Sequence, residues 1–498
     1  MKRGFSDYGP DESWEADVAI IGAGAGGAAA AARLAEDGHS VIMLEAGSHW
    51  KPSEFKPTSA WAFRNLYTMR NTRAAVGNAM IPVPGGRGVG GSTLVNSAIC
   101  FRTPDVVLED WVKNYGCSRL SVAAMKPRLD RVWQTLQVVI NPVAVQRNNN
   151  LIFKHGADKL GLPGEWMPRS APGCVGCGVC QMGCPSGGKW SVDRNFIVEA
   201  LATGGVTVNG DCRVESVEVE GGAVTALLGR TIDPVTLKAS GRFRVRAKEF
   251  ISSAGPVGSP RFLLGNGLST ADVCGAHLYL HPAAGMLGRF KQEIRPWSGV
   301  TQGFYVDRWE QGYLLQTYSA NVDQAYVGMP WSLGPELMGV LKDLKNMAMA
   351  GALVHDEDST GSVSLAGLTY FLGDGDRRRM LAGLRECAAV FFAAGATEAY
   401  APIIGSRTIK SPDDIARVIT DDIPARRIYL YASHPMGTCR MGDEPTTSTI
   451  DPDGRVWGWE NLSVADASVF PTSLGVNPQV TTMAVGLTVG EVVSQRLG

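Results

Sequence analysis

Residues 16–47 read ADVAIIGAGAGGAAAAARLAEDGHSVIMLEAG, and this stretch decides the fold. The apolar run Val18-Ala19-Ile20-Ile21 suits a buried parallel strand. Gly22, Gly24 and Gly27 fill a GxGxxG pattern at the turn into an alanine-rich helix. The first glycine permits the tight turn. The second lets backbone approach a pyrophosphate, and the third lets the helix sit against the sheet. Free N–H groups and the positive dipole at the helix N-terminus favour that phosphate. A second strand, Val41-Ile42-Met43-Leu44, ends at Glu45, where a ribose hydroxyl partner is expected. A lone GxGxxG is a weak signal; with strand, helix, strand and acid in order it predicts a dinucleotide-binding βαβ unit over residues 14–50.

The rest of the chain is built for a large folded body. At 498 residues it exceeds one ordinary domain, and 45% hydrophobic against 19% charged residues supplies a substantial core. The net charge of −1 gives no basic excess to attract nucleic acid or anionic lipid. The first 17 residues lack an apolar signal-peptide core, and no window of about 18 apolar residues predicts a membrane span. A cytoplasmic location is the expectation, and the ten cysteines are then expected to be reduced unless they serve redox or metal chemistry.

Residues 82–102 and 171–188 read as glycine-rich loops. Alternation predicts strands over 206–208, 214–219, 224–228 and 242–251, with Gly221-Gly222 as a hairpin turn. Residues 286–330 are aromatic and strand-like. Leu337 to Val354 has helical spacing, with Met347 and Met349 as core filler, and Leu381 to Ala394 is a second apolar helix. The charged run 374–379 reads as a solvated helix start. Strand 462–466, a loop and a helix from Gln479 close the chain.

Four blocks in order resemble the glucose–methanol–choline (GMC) family of FAD oxidoreductases, nearest the long-chain alcohol oxidase branch. They are the glycine-rich stretch 86–101, the stretch 255–268, His434-Pro435-Met436-Gly437-Thr438-Cys439, and Asp466-Ala467-Ser468 with Gly475-Val476-Asn477-Pro478. The second departs from the family pattern at Phe262 and Asn266. The resemblance implies an α/β fold: a GMC-type FAD-binding Rossmann-like domain with an inserted α+β substrate domain, an antiparallel sheet flanked by helices. The implied segments are FAD-binding parts at 1–110, 191–284 and 426–498, a lid segment with the cysteine loop at 111–190, and a substrate domain at 285–425.

The resemblance also implies roles. Glu45 would hold the adenosine ribose, with Gly22, Gly24 and Gly27 at the pyrophosphate turn. Arg87, Gly90, Gly91, Ser92 and Asn96 would lie along the pyrophosphate and flavin. Val214 backbone would face the adenine, and Asp466 and Ala467 the ribityl and phosphate side, with Asn477 and Pro478 beside the flavin. Val95 stands where some members carry the histidine that bonds FAD, so non-covalent FAD is expected. Oxidising an alcohol needs a base for the hydroxyl proton, a hydride acceptor, and donors to the developing alkoxide. His434 suits the base and Asn477 the donor. His281, before Pro282, is expected to be structural, and the remaining histidines show no metal spacing.

Cys174, Cys177, Cys180 and Cys184 form C-x2-C-x2-C-x3-C-P, the bacterial ferredoxin spacing. A [4Fe–4S] or [3Fe–4S] cluster, reduced thiols and a disulfide are all open readings, and zinc fits the spacing least. A cluster would carry electrons from reduced flavin to an external protein or quinone acceptor. The functional expectation is thus oxidation of a small-molecule alcohol to an aldehyde or ketone. Alternatives are an oxygen-using oxidase without a cluster, a lyase on the same scaffold, and a non-catalytic flavin electron-transfer module.

Overall fold

A computed structural model describes residues 1–320, Asp323 and residues 335–498. Its first sheet has eight strands. Seven run in the order Lys2–Arg3, Val206–Asn209, Val41–Leu44, Asp11–Ile21, Ala239–Ser252, Ala223–Ile232, Cys212–Glu220. The first five pair in parallel, and the last two add an antiparallel meander. The eighth, Leu462–Val464, runs parallel to the end of Ala239–Ser252, so a distant part of the chain completes the sheet.

The alanine-rich helix Ala25–Glu36 is buried from Gly26 to Ala32 and packs along the C-terminal helix Gln479–Leu497. Small residues make that approach possible. A Cβ on Gly486 would stand 2.4 Å from the Gly26 carbonyl oxygen, and one on Gly490 3.0 Å from that of Ala30. The alanines therefore serve close backbone packing as well as helix propensity.

A second sheet is antiparallel throughout: Glu398–Tyr400, Ala283–Arg289, Met347–Val354, Tyr313–Thr317, Phe304–Arg308, Gly164–Trp166. Helices Val143–Lys159 and Asp374–Ala393 pack on it. The expected helix over Leu337–Val354 is corrected here. Helix covers Pro335–Lys342, and Met347–Val354 is a central strand. All eight of its residues are buried, so it lacks the alternation that marks a half-exposed strand. Gly351 is required there, because a Cβ would stand 2.3 Å from the Ala284 carbonyl oxygen. The strand-like reading of 286–330 matches 286–289, 304–308 and 313–317; its end, 321–330 apart from Asp323, lies outside the described residues.

The run 374–379 does begin a helix, but it is not simply solvated. Asp376 is fully buried and accepts hydrogen bonds from the backbone amides of Glu357, Asp358 and Ser359. Among the described residues, no helix is long and apolar enough to cross a membrane.

Candidate active site

A single cavity of about 820 Å³ runs from the glycine turn to the face of the second sheet. Gly22, Gly24, Glu45, Arg87, Gly91, Ser92, Asn96 and Val214 line it, as do Asp466, Ala467, His434, Asn477 and Pro478. Two of the expected residues do not. Gly27 packs the helix, since a Cβ would lie 2.5 Å from the Gly22 carbonyl oxygen. Gly90 donates its N–H to the Ala23 carbonyl at 2.9 Å, which makes it a brace between the two glycine loops. Gly26, passed over in the sequence, lines the cavity and is the tightest position of the turn: a Cβ would stand 1.9 Å from the Ala465 carbonyl oxygen.

The fingerprint end fits a dinucleotide. Gly24 meets nothing closer than the Gly91 Cα at 3.8 Å, so bare backbone faces the cavity at the helix N-terminus. Glu45 is buried, and its Oε1 accepts from the Gly47 and Gly88 amides at 2.9 and 3.1 Å. Its Oε2 takes the Ala23 amide at 3.1 Å and keeps a lone pair for a ribose hydroxyl. Burial pushes the Glu45 carboxyl upward, against the three amides that pull it down. Asp466 accepts from Gly255 N–H at 2.9 Å, Ser259 Oγ–H at 2.5 Å and Ser468 N–H at 2.8 Å. Asn96 donates to Gln479 Oε1 at 2.9 Å, tying the glycine-rich block to the helix that follows Asn477.

At the other end, Asn477 Nδ2 lies 3.0 Å from His434 Nε2. Gln316 Nε2 donates to Asn477 Oδ1 at 3.1 Å, and Gln302 Nε2 to Gln316 Oε1 at 3.3 Å. His434 sits on a segment pinned by reciprocal backbone hydrogen bonds between Met436 and Tyr279. Burial lowers the His434 imidazole to about 4, so it is neutral near pH 7. Its ring stands edge-on to His281, centroids 5.4 Å apart.

His281 also lines the cavity and has a left-handed φ of +50°. Asp356 holds that turn by accepting the Leu280 and His281 amides, and burial raises its carboxyl to about 7. His281 Nε2 accepts Gly475 N–H at 3.0 Å and lies 2.9 Å from Ser473 Oγ. Its structural role is therefore visible, but it is exercised against the wall of the site. Gln302 and Gln316 carried no sequence signal, because only tertiary contacts bring them to Asn477 and His434, and Tyr431, three positions before His434, lies outside the motif that marked it.

The cysteine loop lies beside the cavity, which Gln181 reaches but none of the four sulfurs lines. Cys174 and Cys180 receive Arg169 Nη–H groups at 3.7 and 3.4 Å, Cys184 faces Ser186 Oγ and the Lys189 amide, and Cys177 is exposed. All ten cysteines are free thiols. Among the described residues, no three or more His, Cys, Asp or Glu side chains are grouped to hold a metal ion. Arg169 is thus shared by Cys174 and Cys180, while Cys184 has partners of its own. Burial pushes the Cys180 thiol up, but Arg169 and Lys189 outweigh it and lower it overall.

The GMC oxidoreductase family matches this chain at both ends: its N-terminal model over residues 23–283 and its C-terminal model over 353–486. An uncharacterised GMC-type oxidoreductase of Mycobacterium tuberculosis is 33% identical over 96% of this chain and 75% of its own length. A long-chain-alcohol oxidase of Arabidopsis thaliana is 28% identical over 94% of this chain and 66% of its own length. Among solved structures, pyridoxine 4-oxidase from Mesorbium loti superposes with a TM-score of 0.73 at 19% identity, covering 95% of this chain and 98% of that one. With a dinucleotide turn, an inserted antiparallel sheet and family models over most of its length, this chain belongs to the GMC family of FAD-dependent oxidoreductases.

Proposed function

We propose that the protein oxidises an alcohol carbon to an aldehyde or ketone, with His434 as the base and Asn477 as hydrogen-bond donor to the same oxygen. The observation that carries this reading is the 3.0 Å approach of Asn477 Nδ2 to His434 Nε2 in the cavity that also holds the dinucleotide turn. FAD, when bound, supplies the hydride acceptor. Glu45 would hold its ribose, Gly24 and Arg87 its pyrophosphate side, Val214 backbone its adenine, and Asn96, Asp466, Ala467 and Pro478 its flavin half. Val95 offers no nucleophile, which supports non-covalent FAD.

A neutral His434 has a lone pair at Nε2, where Asn477 donates in the resting site. A substrate hydroxyl entering between them gives its proton to Nε2 and takes the Asn477 N–H on its oxygen. Proton removal then leaves alkoxide character at an oxygen that already has a donor. Gln316 holds the Asn477 amide in that orientation.

The similarity to a plant long-chain-alcohol oxidase supports oxygen as electron acceptor. The test is anaerobic reduction of the FAD-loaded protein with an alcohol panel, followed by admission of oxygen and a peroxide assay. Flavin bleaching with near-stoichiometric peroxide is expected. Bleaching that persists in oxygen would replace oxygen with another acceptor, and no bleaching by any alcohol would remove the alcohol assignment.

A further inference from the structure

The cavity that holds His434 is also lined by hydroxyl-bearing residues whose hydroxyls have no partner among the described residues. Tyr318 and Tyr431 both line it, half-buried, and neither phenol has a hydrogen-bond partner among the described residues. Ser319 lines it too, and its Oγ is buried without a partner. Room for the Tyr318 hydroxyl is kept by Gly285, where a Cβ would stand 2.3 Å from that oxygen. Tyr318 and Ser319 follow the strand Tyr313–Thr317, which carries Gln316 to Asn477. Tyr431 lies three positions before His434 and pairs with Ala283, two positions from Gly285. The two phenols are close enough that ionising one would raise the other.

A hydroxyl shut off from water without a partner is uncommon and costly, because it has given up water for nothing. A hydrocarbon chain filling this space would seal in all three unpaired. A ligand with its own hydroxyls would satisfy them. We propose that the substrate is a compact polar alcohol bearing at least one further hydroxyl, bound by Tyr318, Ser319 and Tyr431 while His434 and Asn477 take the reacting one, and not a long unbranched aliphatic alcohol. This rests on the alcohol-oxidising reading of the same site. Sites built to hydrogen-bond a substrate hydroxyl discriminate strongly against the analogue that lacks it.

The experiment is anaerobic flavin reduction in the FAD-loaded protein with hexane-1,2,6-triol, hexan-1-ol and dodecan-1-ol. The triol is expected to exceed hexan-1-ol by at least about tenfold in second-order rate, with dodecan-1-ol no better than hexan-1-ol. Tyr431→Phe and Ser319→Ala should each lower the triol rate and narrow the triol-to-hexanol ratio severalfold, with FAD content and Tm as controls. Tyr318→Phe serves if one of these fails to fold. Faster reduction by dodecan-1-ol than by the triol, or a ratio unmoved by the variants, overturns the polar class and leaves alcohol oxidation standing. Reduction by dithionite but by none of the alcohols overturns the alcohol reading itself, and the polar class with it.

Discussion

Asn477 Nδ2 stands 3.0 Å from His434 Nε2, although 43 positions separate them in the chain. Because Gln316 donates to the amide oxygen of Asn477, its nitrogen faces the imidazole. A nitrogen that receives an N–H keeps its lone pair, so neutral His434 carries its proton on Nδ1 and presents Nε2 as the base.

Removing that base should stop chemistry without emptying the site. His434→Ala is expected to retain FAD and to slow substrate-driven flavin reduction by about 10²–10⁴-fold. Asn477→Ala should be slower by up to about 10²–10³-fold but measurable, as for loss of one donor to a developing oxyanion. Rapid-mixing reduction rates check both; a normal rate in His434→Ala would exclude it as the base.

Gln316 acts through Asn477. Gln316→Leu leaves the Asn477 amide oxygen unpaired and its plane free to turn, so kcat should fall by roughly tenfold, equivalent to about 1.4 kcal/mol, with KM less affected. Steady-state kinetics that show the opposite split, KM raised and kcat intact, would make Gln316 a substrate-binding residue instead.

The pH profile follows from burial. His434 is lowered to about 4, so the base form is present above that pH and is lost as pH falls through it. The acid limb of kcat/KM is therefore expected near pH 4, well below the ~6.5 of an exposed histidine. A limb centred at or above 6.5 would show that the imidazole is far better solvated than its enclosure indicates.

Two glycines two positions apart should fail in different ways. Gly26→Ala places a Cβ 1.9 Å from the Ala465 carbonyl oxygen, forcing backbone apart at a cost of about 1–3 kcal/mol. Gly24→Ala meets nothing closer than 3.8 Å, so the fold should hold while FAD binding weakens. Thermal melts with and without added FAD separate the outcomes: a lowered Tm without FAD for Gly26→Ala, and a wild-type Tm without FAD for Gly24→Ala.

Lys189 is buried, and its ammonium donates to the carbonyls of Leu94, Asn96 and Cys180 at 2.7, 3.0 and 3.0 Å. Lys189→Met should lose at least about 1–3 kcal/mol, since three acceptors lose their donor together. Denaturant unfolding measures this. Because Leu94 and Asn96 belong to the flavin-side block, FAD occupancy should fall with stability.

Much of this was legible beforehand because it is local. Strands at 18–21 and 41–44, the turn between them and the acid at 45 are set by short-range rules of periodicity and turn geometry. His434 and Asn477 were found through motifs, and the structure places them together. Met347–Val354 was misread because a strand buried on both faces and an apolar helix look alike in sequence. Asp376 was misread because its partners are amides of residues 357–359, which no charge pattern records. The cysteine spacing suggested ligands, whereas among the described residues three of the sulfurs accept hydrogen bonds from Arg169 and the Lys189 amide and no grouped metal site is found.

The sequence by itself determined the dinucleotide unit, the family and the two residues of the proposed chemistry, since each is written in contiguous residues whose spacing carries its meaning. Tertiary structure alone decided which atom of His434 is free to act, which glycine faces ligand and which faces backbone, and which hydroxyls stand unpaired in the same cavity as the base. Those properties depend on hydrogen bonds and close approaches between segments distant in the chain, and such contacts exist only once both sheets have closed around one cavity.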